Sequence, residues 1–143
     1  MKRIFIEVID YELRTAEPDW WKRLMGVFLK PGTPFEIRCW REESGLICQA
    51  QSYGTVSEEG STEYEVSVTG VLTPEIICAL LDAEPPQEAE QLTRFFTISG
   101  GHISSAHYGR QIVISDASEE ELRRVRDILS PITEYFSYLE EDL

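Results

Sequence analysis

The side chains best suited to chemistry lie in one short segment, His102 to Tyr108, which contains two imidazoles, two serine hydroxyls and a phenol. A serine near a histidine supplies the parts of a nucleophile and its general base. On a strand, Ser105 and His107 share a face, whereas His102 and His107 lie on opposite faces. No Gly-x-Ser-x-Gly turn surrounds the serines. We therefore predict no catalytic residue. The alternative is a small enzyme or small-molecule-binding domain with a pocket of His102, Ser105, His107 and Tyr108.

Cysteine usage gives little support for a metal or redox site. The three cysteines form no Cys-x-x-Cys pair. Cys39 and Cys48 are predicted to face each other across a hairpin, but a structural zinc site commonly uses four ligands. The two histidines, on opposite strand faces, do not complete such a set. We expect buried, reduced thiols in a reducing cytoplasm, without a metal or a cofactor.

A second group of residues indicates protein binding. Strand alternation places Trp40 and Ile47 on the polar side of the predicted sheet, with Tyr53 nearby. Large apolar groups with a charged rim are typical of protein-binding surfaces. Trp40 is the predicted anchor, unless a helix covers this face. The acids predicted to surround it are Glu42, Glu43, Glu58, Glu59, Glu119, Glu120 and Glu121.

The net charge narrows the class of partner. The chain has 26 acidic residues against 13 Lys and Arg, a formal net charge of −13. Such a balance argues against nucleic acid and anionic membrane surfaces as partners, and no apolar run is long enough for a membrane span. We predict an acidic, non-catalytic, cytoplasmic domain that binds a basic protein, for example an immunity or inhibitor protein that neutralises a nuclease-type toxin. An acidic composition that serves solubility alone is the simpler alternative.

The elements expected to position these residues centre on Phe35 to Leu72. Apolar and polar residues alternate there in three runs joined by turns that contain Gly45 and Gly60, which predicts a three-stranded antiparallel meander. A four-residue turn pairs Cys39 with Cys48 and keeps apolar residues opposite apolar residues.

Other segments complete an α+β fold within one predicted domain, residues 1–143. Arg3 to Ile9 reads as a strand. Pro18 is predicted as the first residue of an amphipathic helix that carries Trp20, Leu24, Val27 and Phe28 on one side and ends before Pro31. Thr73-Pro74-Glu75 predicts the start of a further helix. Gln87 to Thr97 favours a helix, although Arg94 to Ser99 also suits a strand.

The C-terminal half is predicted to end in a hairpin and a long helix. Gly101 to Ser115 reads as a hairpin with Gly109-Arg110 as its turn, which pairs His107 with Ile112. Ser118 to Glu121 forms a capping box. The 3-and-4 apolar spacing from Leu122 to Leu139 predicts one long amphipathic helix, restarted or kinked at Pro131.

Overall fold

The computed structural model describes residues 1–85 and 91–143, and these form a mixed α+β fold with an antiparallel sheet. In chain order the elements are β1 Lys2–Val8, α1 Leu13–Ala16, α2 Trp20–Phe28, β2 Pro34–Trp40, α3 Ser44–Gln51, β3 Thr55–Ser57, β4 Glu65–Val71, α4 Pro74–Asp82, β5 Thr97–Gly100, β6 Ile103–Ala106, β7 Gln111–Ala117, α5 Glu119–Leu129, a 3₁₀ segment Ser130–Tyr135 and β8 Phe136–Asp142.

The eight strands are arranged in the order β3-β4-β2-β5-β6-β7-β1-β8. Every neighbouring pair is antiparallel. Within the described residues, β3 and β8 stand at the two ends of this order and are therefore the edge strands. The N-terminal strand lies between β7 and β8, which places the two ends of the chain side by side. This end of the sheet thus joins residues that are far apart in sequence.

One face of the sheet carries the core. In β1 and β2 every second residue is buried, including Ile4, Ile6, Phe35 and Ile37. The apolar sides of the helices pack against this face, because their buried residues belong to the same hydrophobic cluster. The buried residues of α2 and α5 are Trp20, Trp21, Leu24, Met25, Val27, Phe28, Leu122, Val125, Ile128 and Leu129.

Two helix starts follow the predicted capping chemistry. The Thr73 side chain accepts a hydrogen bond from the Ile76 amide, with Pro74 in the first turn of α4. At α5, Ser118 and Glu121 form the reciprocal capping box, with distances of 3.2 and 2.9 Å. Both caps satisfy amide groups that have no partner inside the helix. Within the described residues no helix has the length and apolar character needed to cross a bilayer.

The predicted meander is wrong in its middle strand. Ser44–Gln51 is the helix α3, and β2 pairs directly with β4. Cys39 therefore lies opposite Val66 rather than Cys48, which is exposed on α3. The short apolar run from Leu46 to Ala50 fits a strand by alternation, but Leu46, Ile47 and Ala50 also fit one side of a helix.

The second predicted hairpin is present with a shifted register. Ser105, not His107, lies opposite Ile112, because residues 107–110 form a four-residue connection instead of a two-residue turn. For the preceding segment the strand alternative is the better description, since β5 covers Thr97–Gly100 and residues 92–96 are non-helical. The predicted Gln87 to Thr97 helix partly falls on residues 86–90, outside the described residues.

The long C-terminal helix is shorter than predicted. It ends at Leu129, and a 3₁₀ segment beginning with Ser130 and Pro131 leads into β8. Proline has no amide hydrogen and disfavours a continuous helix, which explains the end point. Of the apolar residues beyond it, Ile132 and Tyr135 lie in the 3₁₀ segment. Phe136 and Leu139 belong to β8, which pairs with β1 along its whole length.

Candidate functional site

Four rings from three separate segments form an aromatic cluster, defined here as Trp40, Phe96, His107 and Tyr108. The Trp40 and Phe96 ring centroids lie 4.6 Å apart. Phe96 also meets His107 at 5.3 Å and Tyr108 at 5.2 Å, both edge to face. Trp40, Phe96 and Tyr108 are partly buried and His107 is exposed. These distances and tilts are the ones that favour attraction between aromatic rings.

Strand ends hold the cluster together. β2 ends at Trp40 and Phe96 directly precedes β5, which pairs with β2. Trp40 lies on the side of β2 opposite the buried Cys39. Three hydrogen bonds fix the remaining segment: the Tyr108 carbonyl accepts from the Leu92 and Thr93 amides, and the Tyr108 amide donates to the Phe96 carbonyl at 3.0 Å.

The turn that carries His107 and Tyr108 has unusual backbone conformations. His107 and Tyr108 have φ angles of 53° and 56°, in the left-handed region, and Gly109 follows at 87°. A β-carbon on Gly109 would lie 2.6 Å from a Thr93 methyl group. Glycine is therefore required here both by conformation and by the close approach of residues 92–93. Backbone strain of this kind is maintained where the surrounding structure holds it in place.

Glu43 connects two members of the aromatic cluster. Its carboxylate accepts the Trp40 amide hydrogen at 2.8 Å and the Tyr108 hydroxyl hydrogen at 2.9 Å. Burial, followed by the hydrogen bond to Glu43, raises the pKa of Tyr108 above its ordinary value. Tyr108 is therefore a neutral donor near pH 7 and is unsuited to act as a base. Through these two hydrogen bonds Glu43 links the end of β2 to the turn that carries Tyr108.

The surroundings of the aromatic cluster are polar. Glu42 is exposed immediately after β2, and Arg41 binds the Thr62 carbonyl through two of its nitrogens. Arg94 donates to the Gln49 side chain at 3.0 Å and to the Glu84 carbonyl at 3.0 Å. Arg41 and Glu42 follow Trp40 directly in the chain and Arg94 lies two residues before Phe96, so charged residues are close in sequence to two of the four rings.

The structure separates the predicted acids into two groups. Glu58 and Glu59 are exposed on the β3–β4 connection, and Arg41 joins that connection to the turn after Trp40. Glu119, Glu120 and Glu121 begin α5, beyond the far end of β7, so they do not border Trp40. Of these three, Glu121 has a structural role in the capping box and has a lowered pKa, with Ser118 supplying the hydrogen bonds against the opposing effect of burial.

The other two predicted apolar contacts, Ile47 and Tyr53, pack against the hydrophobic core, whereas Trp40 packs on Phe96. Ile47 lies on α3 and Tyr53 follows it, and both are partly buried against the hydrophobic core. Ile47 is therefore not a strand residue opposite Trp40, as the predicted meander requires. Phe96 is the member of the site that the sequence interpretation missed. The adjacent Phe95 and Phe96 could have indicated it, because a strand start exposes one of two successive aromatic residues.

The alternative pocket is not assembled. His102 and His107 lie at opposite ends of β6, and His102 contacts the Ser115 hydroxyl at 3.3 Å. Ser105 is buried between them and accepts a hydrogen bond from the Trp21 indole nitrogen at 2.9 Å. The serine hydroxyl is thus used inside the core. Only His107 and Tyr108 of the predicted four come together, and they do so in the aromatic cluster.

The cysteines do not form a site. Burial raises the pKa of the Cys39 thiol to about 12, which keeps it protonated and unreactive. Cys48 and Cys78 are exposed on α3 and α4. Among residues 1–85 and 91–143, no three His, Cys, Asp or Glu side chains are grouped as metal ligands would be.

Comparison with protein-family models, with curated proteins and with solved structures finds no match to this chain. Function must therefore be argued from the geometry of the aromatic cluster and from the charge of the molecule.

Proposed function

We propose that this chain is a non-catalytic binding protein for a basic protein partner, and that Trp40 is its anchor. The observation that supports this proposal is the aromatic cluster, in which Trp40 packs at 4.6 Å on Phe96 and is fixed through its amide to Glu43. A ring held in this way loses little freedom on binding. Tryptophan inside a polar rim is the residue type most enriched among binding hot spots.

The chemistry of the aromatic cluster suits a cationic side chain. The faces of tryptophan and phenylalanine attract lysine and arginine groups, and a desolvated contact contributes about 2 kcal/mol. Glu42 is exposed at the same turn and provides a carboxylate for the same cation. A lysine or arginine of the partner would thus meet both an aromatic face and an acid.

The wider charge distribution supports rapid association. The formal net charge of −13 attracts a basic protein from a distance, and the exposed Glu42, Glu58 and Glu59 direct this attraction toward the Trp40 side of the sheet. A nuclease-type toxin is the concrete partner class that we propose, because such proteins present basic surfaces to nucleic acid. An immunity or inhibitor protein would occupy that surface.

The test begins with basic proteins encoded beside this chain or copurifying with it. Association with a purified candidate is measured at low and high salt for the parent, Trp40→Ala and Glu42→Lys. We expect Trp40→Ala to increase the dissociation rate by about tenfold or more. Glu42→Lys should slow association and reduce its salt dependence, since it removes part of the directing charge.

Matched controls separate local from global effects. Glu120→Lys changes the net charge equally but lies at the start of α5, away from the aromatic cluster. It should slow association less than Glu42→Lys does. Trp40→Phe retains an aromatic face and should bind better than Trp40→Ala. Equal effects of both Glu→Lys changes, or parental binding by Trp40→Ala, would remove the aromatic cluster from the interface.

A further inference from the structure

The edge strand β8 carries acidic residues whose charges are compensated within the chain. Lys2 contacts Asp142 at 2.6 Å, and Arg126 contacts Glu140 at 2.5 Å. Glu141 lies opposite Arg3 in the β1–β8 register. Unpaired charges along an edge strand usually prevent it from pairing with another chain. Here that protection is weakened, because each acid of β8 has a basic neighbour.

The same edge carries an apolar row on the side of the sheet opposite the core. Phe5 of β1 lies opposite Leu139 on one side and Val113 on the other. Leu139 is 57% exposed and Val113 is 36% exposed. The row therefore extends over three neighbouring strands and ends at the open edge, since among the described residues no strand lies beyond β8.

We propose that β8 pairs antiparallel with β8 of a second copy of this chain, with the two-fold axis at Leu139. Leu139 is the middle residue of Phe136–Asp142, so this register pairs all seven residues. It places Glu140 opposite Tyr138 and Glu141 opposite Ser137 of the other copy. No acid lies directly opposite another acid, whereas a register centred on Glu140 or Glu141 would create such pairs.

This symmetry also joins the two apolar rows. A two-fold axis perpendicular to the sheet keeps the same face of both copies on one side. The two Leu139 side chains would meet at the axis, flanked by Phe5 and Val113 of each copy. The aromatic cluster would remain free, because five strand intervals of about 4.8 Å separate β2 from β8.

Salt should act in opposite directions on self-pairing and on binding of a basic partner. Two chains of −13 repel each other, so screening by salt should strengthen self-pairing. Salt should weaken the proposed attraction to a basic partner. The two proposals can therefore fail independently, and Trp40→Ala should leave self-association unchanged.

Sedimentation equilibrium from micromolar to submillimolar protein, at low and high salt, tests the proposal. We expect reversible dimers whose affinity rises with salt. Leu139→Lys should raise the dimer dissociation constant by at least about tenfold, because it places two cations at the axis. Val71→Lys is the matched control: Val71 is also 57% exposed, but it lies on β4 near the other edge. A parent that remains monomeric, or equal effects of both variants, would overturn the proposal.

Cross-linking tests the register in a Cys48→Ser, Cys78→Ser background. Leu139→Cys should form a disulfide between copies under mild oxidation, because paired residues at the axis lie within disulfide reach. Glu141→Cys should not, since the two copies of that position would be about 14 Å apart along the strands. Cross-linking at Glu141→Cys instead would contradict this register. If the parent is monomeric and Leu139→Lys no longer binds the basic partner, then β8 pairs with a strand of that partner instead of with a second copy of this chain.

Discussion

Ser105 has a hydroxyl that could take part in catalysis, but in this fold it has a structural role. Its hydroxyl accepts the hydrogen of the Trp21 indole at 2.9 Å, and its side chain is 2% exposed. The bond joins α2 to β6 across the core. A buried indole N–H without an acceptor is costly, so the serine solves a packing problem created by placing tryptophan on the inner side of α2.

Replacing this serine tests that role. Ser105→Ala should reduce the free energy of unfolding by about 1–3 kcal/mol, because it leaves the Trp21 N–H buried and unpaired. Denaturant unfolding measures the change. Ser104→Ala is the control, since Ser104 is partly buried on the other side of the same strand and should cost less. An unchanged midpoint for Ser105→Ala would show that the hydroxyl does not stabilise the fold.

At the residue scale, the sequence predicts which side of a strand a residue lies on better than it predicts which side chains that residue contacts. The alternation in β2 correctly places Cys39 inside and Trp40 on the other side. It does not predict that Trp40 meets Phe96, because that contact joins positions 56 residues apart and depends on the β2–β5 pairing. Glu43 was predicted as a rim acid, but its two hydrogen bonds give it an internal, ordering role as well.

At the scale of elements, α5 and β8 are connected by one carboxylate. Glu140 of β8 accepts two hydrogen bonds from Arg126 of α5, at 2.5 and 2.8 Å, and a third from the Tyr138 hydroxyl at 2.5 Å. These contacts, led by the Arg126 hydrogen bond, lower the pKa of Glu140 to about 2. The unfolded carboxyl group has the ordinary value near 4.5.

The lowered pKa of Glu140 makes the free energy of unfolding depend on pH. Between about pH 4.5 and about pH 2 the unfolded chain binds a proton at Glu140 that the folded chain does not, so the contribution of Glu140 is present above this range and is lost as the pH falls through it. Glu140→Gln should lower stability at neutral pH and show a smaller loss across this range than the parent. Denaturation midpoints at several pH values measure it.

The control for that change is Glu141→Gln, on the adjacent and more exposed position of the same strand. The loss of stability of Glu141→Gln on acidification should be closer to that of the parent, because the Arg126–Glu140 pair is intact. If Glu140→Gln and the parent lose stability equally between neutral and acidic pH, the pair contributes nothing to the linkage of α5 with β8.

The elements that the sequence predicts correctly have strong local signals. Thr73-Pro74 and the capping box at Ser118 define helix starts through short-range chemistry, and both are confirmed. The helix α3 and the strand β8 were not predicted, for different reasons. The residues of α3 satisfy both periodicities, and β8 is a strand because it pairs with β1, 128 to 140 residues away in sequence.

At the scale of the whole molecule, the compositional signal is the excess of acid. Ion pairs join Lys2 to Asp142, Lys22 to Asp82 and Arg110 to Glu7, and exposed pairs of this kind contribute little stability. The remaining acids repel one another in the compact state. Such self-repulsion is independent of fold, which explains why the composition does not predict the topology.

The last prediction follows from that repulsion. At a protein concentration where the chain is monomeric, sodium chloride should raise the free energy of unfolding of the parent by on the order of 1 kcal/mol. For a chain of this length, that corresponds to a rise in Tm of about 4 °C. In the double variant Glu42→Lys, Glu120→Lys each change raises the formal net charge by two, giving −9 instead of −13. Its Tm should rise less with salt, because there is less repulsion to screen. Scanning calorimetry measures both increments. A Tm that falls with salt would mean that attraction within the ion pairs outweighs repulsion among the acids. The acidic surface would then not destabilise the folded chain, and a basic partner would have no such repulsion to relieve.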